Sequence, residues 1–368
     1  MTKYIKTSGR VSLRSGFTVI ELLVVIAVIS LLCSLILPGV LSARGAARRV
    51  QCKSNLKNVG LALYSQAQNK GRFPSGGTFS SITPDGYSNW VQEILPFLER
   101  NDIAELWHSD QPYNSPENLV LANTRIQVLE CPDDITVVPS FGNLSYAANG
   151  GFAWTSAGEC PATLHALASP VQWAVAIDLN GDGKTCANDT YVPMVGTDHD
   201  LMLRSGMFFM ESYPPGTGIR RAHTIDSVHD GLTNTLLVLE NYRAGYDPFF
   251  PDFGGWSSPE AWRTCVFVSG YTCDKLQCSA ANVDFSRANS RQIPYQWESI
   301  NFGRTQPEGR APWPNSFHMG GFHAVFGDGH VRFFSEQLDG RVYVALMSPQ
   351  GSRINGPLSQ SLVSATDY

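Results

Sequence analysis

The chain has 368 residues, with 27 Lys+Arg against 32 Asp+Glu and a net charge of −5. That mild acidity argues against nucleic acid as the main partner, which needs a basic surface. With 33 Gly, 22 Pro and 11% aromatic residues, the composition points to many turns and short strands around a core filled by aromatics.

Residues 1–16 carry Lys3, Lys6, Arg10 and Arg14 and no acidic residue. Positive charge flanking a first span keeps that side in the cytoplasm, so the bulk of the chain is expected outside the cytoplasmic (inner) membrane, in the periplasm or at the cell surface. Residues 17–37 are mostly apolar with one charge, Glu21. Such a run makes about 30 Å of helix, enough to span a bilayer's hydrocarbon core. A carboxylate inside it costs about 2.5–3.5 kcal/mol at mid-membrane and less near the end, where Glu21 lies, and it calls for a partner.

Behind that short basic leader, Gly16-Phe17-Thr18-Val19-Ile20-Glu21-Leu22-Leu23-Val24-Val25-Ile26 resembles the N-terminus of type IV prepilins, including the pseudopilins of type II secretion. The resemblance implies cleavage by prepilin peptidase between Gly16 and Phe17 and methylation of the new Phe17 amine. It also implies that Glu21 neutralises the N-terminal amine of a neighbouring subunit during assembly. The alternative is an ordinary signal anchor. A secretory signal would show a small-residue cleavage site after the apolar run, whereas Pro38-Gly39-Val40 leads into more helix-like sequence.

Pro38-Gly39 is expected to kink the helix rather than end it. Cys52, Leu56, Val59 and Leu63 then form an apolar stripe, and Arg49, Lys53 and Lys57 a basic one. The basic stripe is either a solvated face or a contact for lipid headgroups or an adjacent subunit. Asn69-Lys70-Gly71-Arg72-Phe73-Pro74 stops the helix. One helix over about 17–69 is therefore predicted, a membrane half (17–37) followed by an amphipathic half (38–70). The second half needs an apolar partner, most simply a β-sheet.

From there onward an ordered set of blocks follows: Cys52–Leu63, Gly71–Pro74, Asn89–Glu99, Leu129-Glu130-Cys131-Pro132, Ser145–Gly150, Asp230–Glu240, and His318 with Asp328-Gly329. This set resembles the DUF1559 proteins, prepilin-like proteins abundant in planctomycete-type bacteria and marked by a C-terminal H-X9-DG motif. Ser348-Pro349-Gln350-Gly351-Ser352-Arg353 departs from the family's last block. The family has no known molecular function, so the resemblance implies a place more than an activity.

The eight cysteines are 33, 52, 131, 160, 186, 265, 273 and 278. Cys33 lies in the membrane run and Cys52 on the following helix, leaving six in an oxidising compartment. Cys273 and Cys278 are close enough for a short-loop disulfide, and Cys160 with Cys186 is another candidate pair. No CxxC supports a zinc site.

Asp178-Leu179-Asn180-Gly181-Asp182-Gly183 through Asp189 has the oxygen spacing of an EF-hand-type loop, with Asp178, Asn180, Asp182 and Asp189 as candidate calcium ligands. It also resembles the dockerin loop. The other reading is an Asx- and Gly-rich turn after a strand at Val171–Ile177. Thr235–Leu239 reads as a buried strand, Asp230 and Asn234 as turn residues, and Glu240 as a partner for Arg243 or a cleft residue.

Asp328-Gly329 between apolar-rich runs predicts a two-residue hairpin turn. That register opposes Phe326 to Val331 and Ala324 to Phe333, with Phe322 on the same inward face. His323 and His330 then share the other face about 13 Å apart, which makes a shared metal implausible. His318 is expected to hydrogen-bond a backbone group near the hairpin. The H-X9-DG motif is accordingly read as structural. No G-x-S-x-G, H-E-x-x-H or P-loop is present, and no enzymatic activity is expected.

The fold expected is α+β: a long pilin-like helix on an antiparallel sheet, then an enlarged, loop-rich, β-dominated region over 71–368. The function expected is a structural or accessory subunit of a type IV pilus-like or type II secretion-like assembly. Its partners would be prepilin peptidase, the bilayer and other pilin-like subunits. The alternative is a membrane-tethered module that binds a solute or glycan and uses the helix as an anchor.

Overall fold

The computed structural model describes residues 17–80, 86–152, 177–178, 198–213, 222–242, 244–246, 255–268, 271–274, 277–291, 299–302, 313–364 and 366–368. The chain divides into two compact units, Met1–Ala47 and Arg48–Tyr368.

Helix α1 is Val19–Lys70 and continues through Pro38. Its first turn is closed by a reciprocal cap. Glu21 Oε2 accepts from the Thr18 backbone N–H and from its hydroxyl, both at 2.9 Å. The Glu21 N–H donates back to Thr18 Oγ1 at 3.3 Å. A Thr followed three residues later by Glu is the capping-box pattern, which satisfies helix N–H groups that have no partner in the preceding turn. In the first unit the apolar side chains are open to their surroundings, Val19 by 81% and Leu35 by 71%. This helix is long and apolar enough to cross a membrane.

In the second unit the same helix becomes two-faced. Cys52, Leu56, Val59 and Leu63 are all 0% exposed, and Arg49, Lys53 and Lys57 face outward, as the periodicity predicts. Two polar residues share the buried face and find partners. Asn55 donates to the Glu130 carbonyl at 2.8 Å, and Gln66 to Glu93 Oε2 at 3.1 Å.

In chain order there follow β1 (Gly77–Ser80), β2 (Gly86–Asn89), α2 (Trp90–Ile94), α3 (Asn101–Ala104), α4 (Pro116–Ala122), β3 (Tyr146–Phe152) and β4 (Ile177–Asp178). Then come α5 (Asp198–Ser205), β5 (Met210–Tyr213), β6 (Leu236–Glu240), α6 (Ala261–Thr264), β7 (Cys265–Val268), β8 (Tyr271–Asp274) and β9 (Gln277–Val283). The hairpin strands β10 (Gly321–Phe326) and β11 (Val331–Ser335) and the helix α7 (Gly340–Met347) complete the described strands and α-helices, with short 3-10 turns between and after them.

The main sheet runs β11-β10-β6-β3-β7. It is antiparallel except where β3 pairs parallel with β7 at one edge. Two three-stranded sheets, β2-β1-β5 and β4-β9-β8, accompany it. Strands β3, β6 and β10 are buried at every position, so the sheet is covered on both faces. Helix α1 covers one of them. A Cβ on Gly60 would come within 2.3 Å of Val325 Cγ2, so the missing side chain is what lets the helix lie this close to β10. The fold is thus α+β with its long helix on a mostly antiparallel sheet.

The β10–β11 hairpin differs from its predicted register by one residue. Val325 pairs with Val331, His323 with Phe333 and Phe322 with Phe334. The connection is Gly327-Asp328-Gly329, closed by Phe326 N–H to His330 O and Gly329 N–H to Phe326 O, both 2.9 Å. Gly329 takes a left-handed φ of 86°, as a three-residue turn ending in an αL residue requires. The Gly327 and Asp328 N–H groups donate to Thr235 and Leu232 carbonyls ahead of β6, which favours the longer loop. A one-residue slip exchanges faces. His330 therefore stacks on Phe326 (centroids 4.1 Å apart), while His323 sits with Phe333 on the other side. The two histidines do not share a face.

Candidate functional site

The H-X9-DG histidine leads to a buried polar cluster. His318 precedes β10, and its Nε2 lies 3.1 Å from Glu240 Oε1 and 3.6 Å from Cys131 Sγ. Its Nδ1 lies 3.1 Å from Asp133 Oδ2, and Asp133 pairs in turn with Arg48 on α1. These contacts tie the His318 ring to side chains of two distant segments.

Glu240 ends β6. Tyr146 on β3 is its register partner, and His323 lies on β10, the strand on its other side. Glu240 Oε1 is 3.0 Å from His323 Nδ1, and Oε2 accepts from the His323 N–H at 2.8 Å. One carboxylate thus faces two imidazoles, whose rings meet edge to face at 4.8 Å. Burial is the largest single influence on the Glu240 carboxyl and pushes it up, but the hydrogen bonds and charges of His318 and His323 outweigh it and hold it below its ordinary value. The same carboxylate adds to the burial that pushes the Tyr146 phenol well above its usual range. The Tyr146 hydroxyl stays protonated and donates to the Cys52 carbonyl at 3.4 Å.

Beside this network Cys52 of α1 is joined to Cys131 by a disulfide, 79 positions apart in sequence. The segment carrying Cys131 is anchored residue by residue. Glu130 binds Arg125 and Asn143, and Asp134 accepts from Thr136 and Ser145. Of the described residues, Cys52 Sγ, Cys131 Sγ, one Glu240 oxygen and one His318 nitrogen form a group with metal-ligand chemistry, all within 4.8 Å of one another.

Exposure decides what this cluster can do. Cys52 is 0%, Glu240 1%, His318 2%, His323 3% and Cys131 5% exposed. Polar side chains so enclosed suit holding the fold or an ion.

The other predicted residues lie apart from it. Glu21 is in the cap of α1, four residues after Phe17; Gly16 is outside the described residues. Asp178 ends β4, whereas Asn180, Asp182 and Asp189 are outside the described residues, as are Cys160 and Cys186. Cys273 and Cys278 stand opposite each other across β8 and β9, their side chains lying outside the description. Asp230 binds Ser352 by side chain and backbone, which fixes the divergent C-terminal block onto this turn. Cys265 is a free thiol, and burial pushes it far up.

Sequence reasoning missed the Cys52–Cys131 bond and the Glu240 cluster. A signal for the first was present: Cys52 lies past the long apolar run, on the buried stripe, and so belongs with the six cysteines that follow it. For the cluster there was no local signal, because its members come from five separate segments.

A family model described as "Protein of unknown function (DUF1559)" matches residues 41–341. The matched span contains every member of the cluster. No curated protein and no solved structure matches the chain.

Proposed function

This chain belongs to the DUF1559 family of proteins of unknown function, and from that premise we propose that it is a membrane-anchored, extracytoplasmic, pilin-like subunit. It is processed by prepilin peptidase and serves a structural or accessory role in a type IV pilus-like or type II secretion-like assembly. What supports this most directly is the division of labour along one continuous helix. The first part of Val19–Lys70 is apolar and open, with Glu21 its one charged residue before Arg44. The second part buries one face on a sheet through Leu56, Val59 and Leu63. A helix that only anchors a tethered domain has no need to become the domain's own core element.

Mass spectrometry of the N-terminus of chain recovered from membranes tests the reading. N-methyl-Phe17 is the expected product. A chain that keeps Met1, or one cleaved after the apolar run, overturns it.

A further inference from the structure

The buried cluster has more ligand chemistry than a cross-link needs. We propose that Cys52 and Cys131 are a two-state pair: oxidised they form the disulfide, and reduced they hold a zinc ion together with His318 and Glu240.

Geometry carries the proposal. Tetrahedral zinc with bond lengths of about 2.0–2.3 Å sets its ligand atoms about 3.3–3.8 Å apart. Glu240 Oε1 to His318 Nε2 is 3.1 Å, and His318 Nε2 to Cys131 Sγ is 3.6 Å, so two edges are already near that length. The edge that must change is the Cys52–Cys131 bond, whose sulfurs would stand about 3.8 Å apart as separate ligands. Cys52 is fixed in a helix while Cys131 lies in a loop, so Cys131 is the sulfur that moves.

The surrounding groups are those a metal site requires. A ligating histidine presents one nitrogen to the metal and its other nitrogen to a carboxylate, and a ligating carboxylate is itself hydrogen-bonded. His318 places Nε2 3.6 Å from the Cys131 sulfur and Nδ1 3.1 Å from Asp133 Oδ2, and Arg48 pairs with that aspartate. Glu240 is steadied by the His323 N–H at 2.8 Å. Two thiolates, an imidazole and a carboxylate favour zinc over calcium or magnesium, which take oxygen ligands.

The chemistry balances. A dithiol reductant supplies two electrons and two protons, the Cys52–Cys131 bond breaks to two thiols, and the reductant closes to its own disulfide. Zinc then displaces the two thiol protons to solvent and gains two thiolate bonds. In the reduced chain zinc would brace α1 against the 131 loop, as the disulfide does in the oxidised one.

The test uses the full chain in detergent, reduced with a phosphine and titrated with cobalt(II), then zinc. Reduced wild type should take up one equivalent of cobalt, with thiolate-to-cobalt charge transfer and tetrahedral visible bands that zinc abolishes. Zinc should also raise its melting temperature. Oxidised wild type and the reduced double variant Cys52→Ser with Cys131→Ser should lack the thiolate band, and reduced Cys131→Ser should show a weaker one. Asp133→Asn, which weakens both the support behind His318 and the pairing with Arg48, should bind about 10–100-fold more weakly. A reduced chain that stays folded and takes up no cobalt overturns the proposal. So does cobalt binding that is equal in the oxidised protein or in Cys131→Ser, and so does a reduced chain that unfolds whether or not zinc is present.

Discussion

Glu240 and His318 are 78 positions apart in the sequence, yet their Oε1 and Nε2 atoms lie 3.1 Å apart in the interior. The pair joins the end of a central strand to the segment leading into the β10–β11 hairpin, and His323 makes the same carboxylate a shared acceptor. Removing the carboxylate leaves the two buried imidazoles without their shared acceptor, at a cost of about 1–3 kcal/mol for an unsatisfied buried group. Glu240→Ala should lose about that much in urea unfolding of the detergent-solubilised chain. Glu240→Gln keeps shape and an acceptor and should lose less. Equal losses in the two variants would mean that shape, not charge, is what the imidazoles need.

Gly60 sets two effects against each other. Alanine is the better helix former by about 0.8–1.0 kcal/mol. Its methyl would meet Val325 Cγ2 at 2.3 Å, and valine has little rotamer freedom with which to yield. Overpacking of this kind costs about 1–3 kcal/mol, so the clash should win. Gly60→Ala should lower the urea midpoint, and Gly60→Ala with Val325→Ala should recover part of the helix-propensity gain relative to Val325→Ala alone.

His223 gives a pH dependence with a definite sign. It is 7% exposed, and its Nε2 donates to the Leu203 carbonyl at 2.8 Å. Burial pushes it below its ordinary 6.5, the backbone partners Leu203 and Gly206 oppose that, and the charge of His229 adds to it. A depressed folded value means that the unfolded chain binds the proton first as pH falls. The stability from neutral His223 is therefore present above 6.5 and lost as pH falls through the folded value, at up to about 1.4 kcal/mol per pH unit. Urea unfolding should show a shallower decline below pH 6.5 in His223→Gln than in wild type. Parallel slopes would remove His223 as the source.

What could be read in advance followed from local periodicity. The helix, its buried stripe of Cys52, Leu56, Val59 and Leu63, its basic outer face and the buried strand ending at Glu240 each depend on residues near one another in sequence. The hairpin was legible as a hairpin, but its register was not. The choice between a two- and a three-residue turn depends on the Gly327 and Asp328 N–H groups meeting carbonyls of a distant segment. The cluster was out of reach for the same reason. Glu240, His318, Cys131 and Cys52 carry no shared spacing, and Arg243, the nearest basic residue in sequence, drew the expected pairing of Glu240 away from its histidines.

Glu21 carries two explanations that the right substitutions separate. In the proposed assembly its charge meets a neighbouring subunit's N-terminal amine. Within one chain its Oε2 already accepts from the Thr18 N–H and hydroxyl at 2.9 Å, a cap whose loss costs helices about 0.5–2 kcal/mol. Glu21→Ala removes both the cap and the charge, so by itself it decides nothing. Glu21→Gln keeps an oxygen that accepts from Thr18 but has no charge, and Thr18→Ala keeps the carboxylate but breaks the reciprocal cap. If the charge sets subunit registry, Gln should match Ala in losing incorporation into sheared assemblies while both variants stay in the membrane fraction, and Thr18→Ala should still incorporate. If the carboxylate only closes the first turn, Gln should assemble like wild type and Thr18→Ala should fail with Ala.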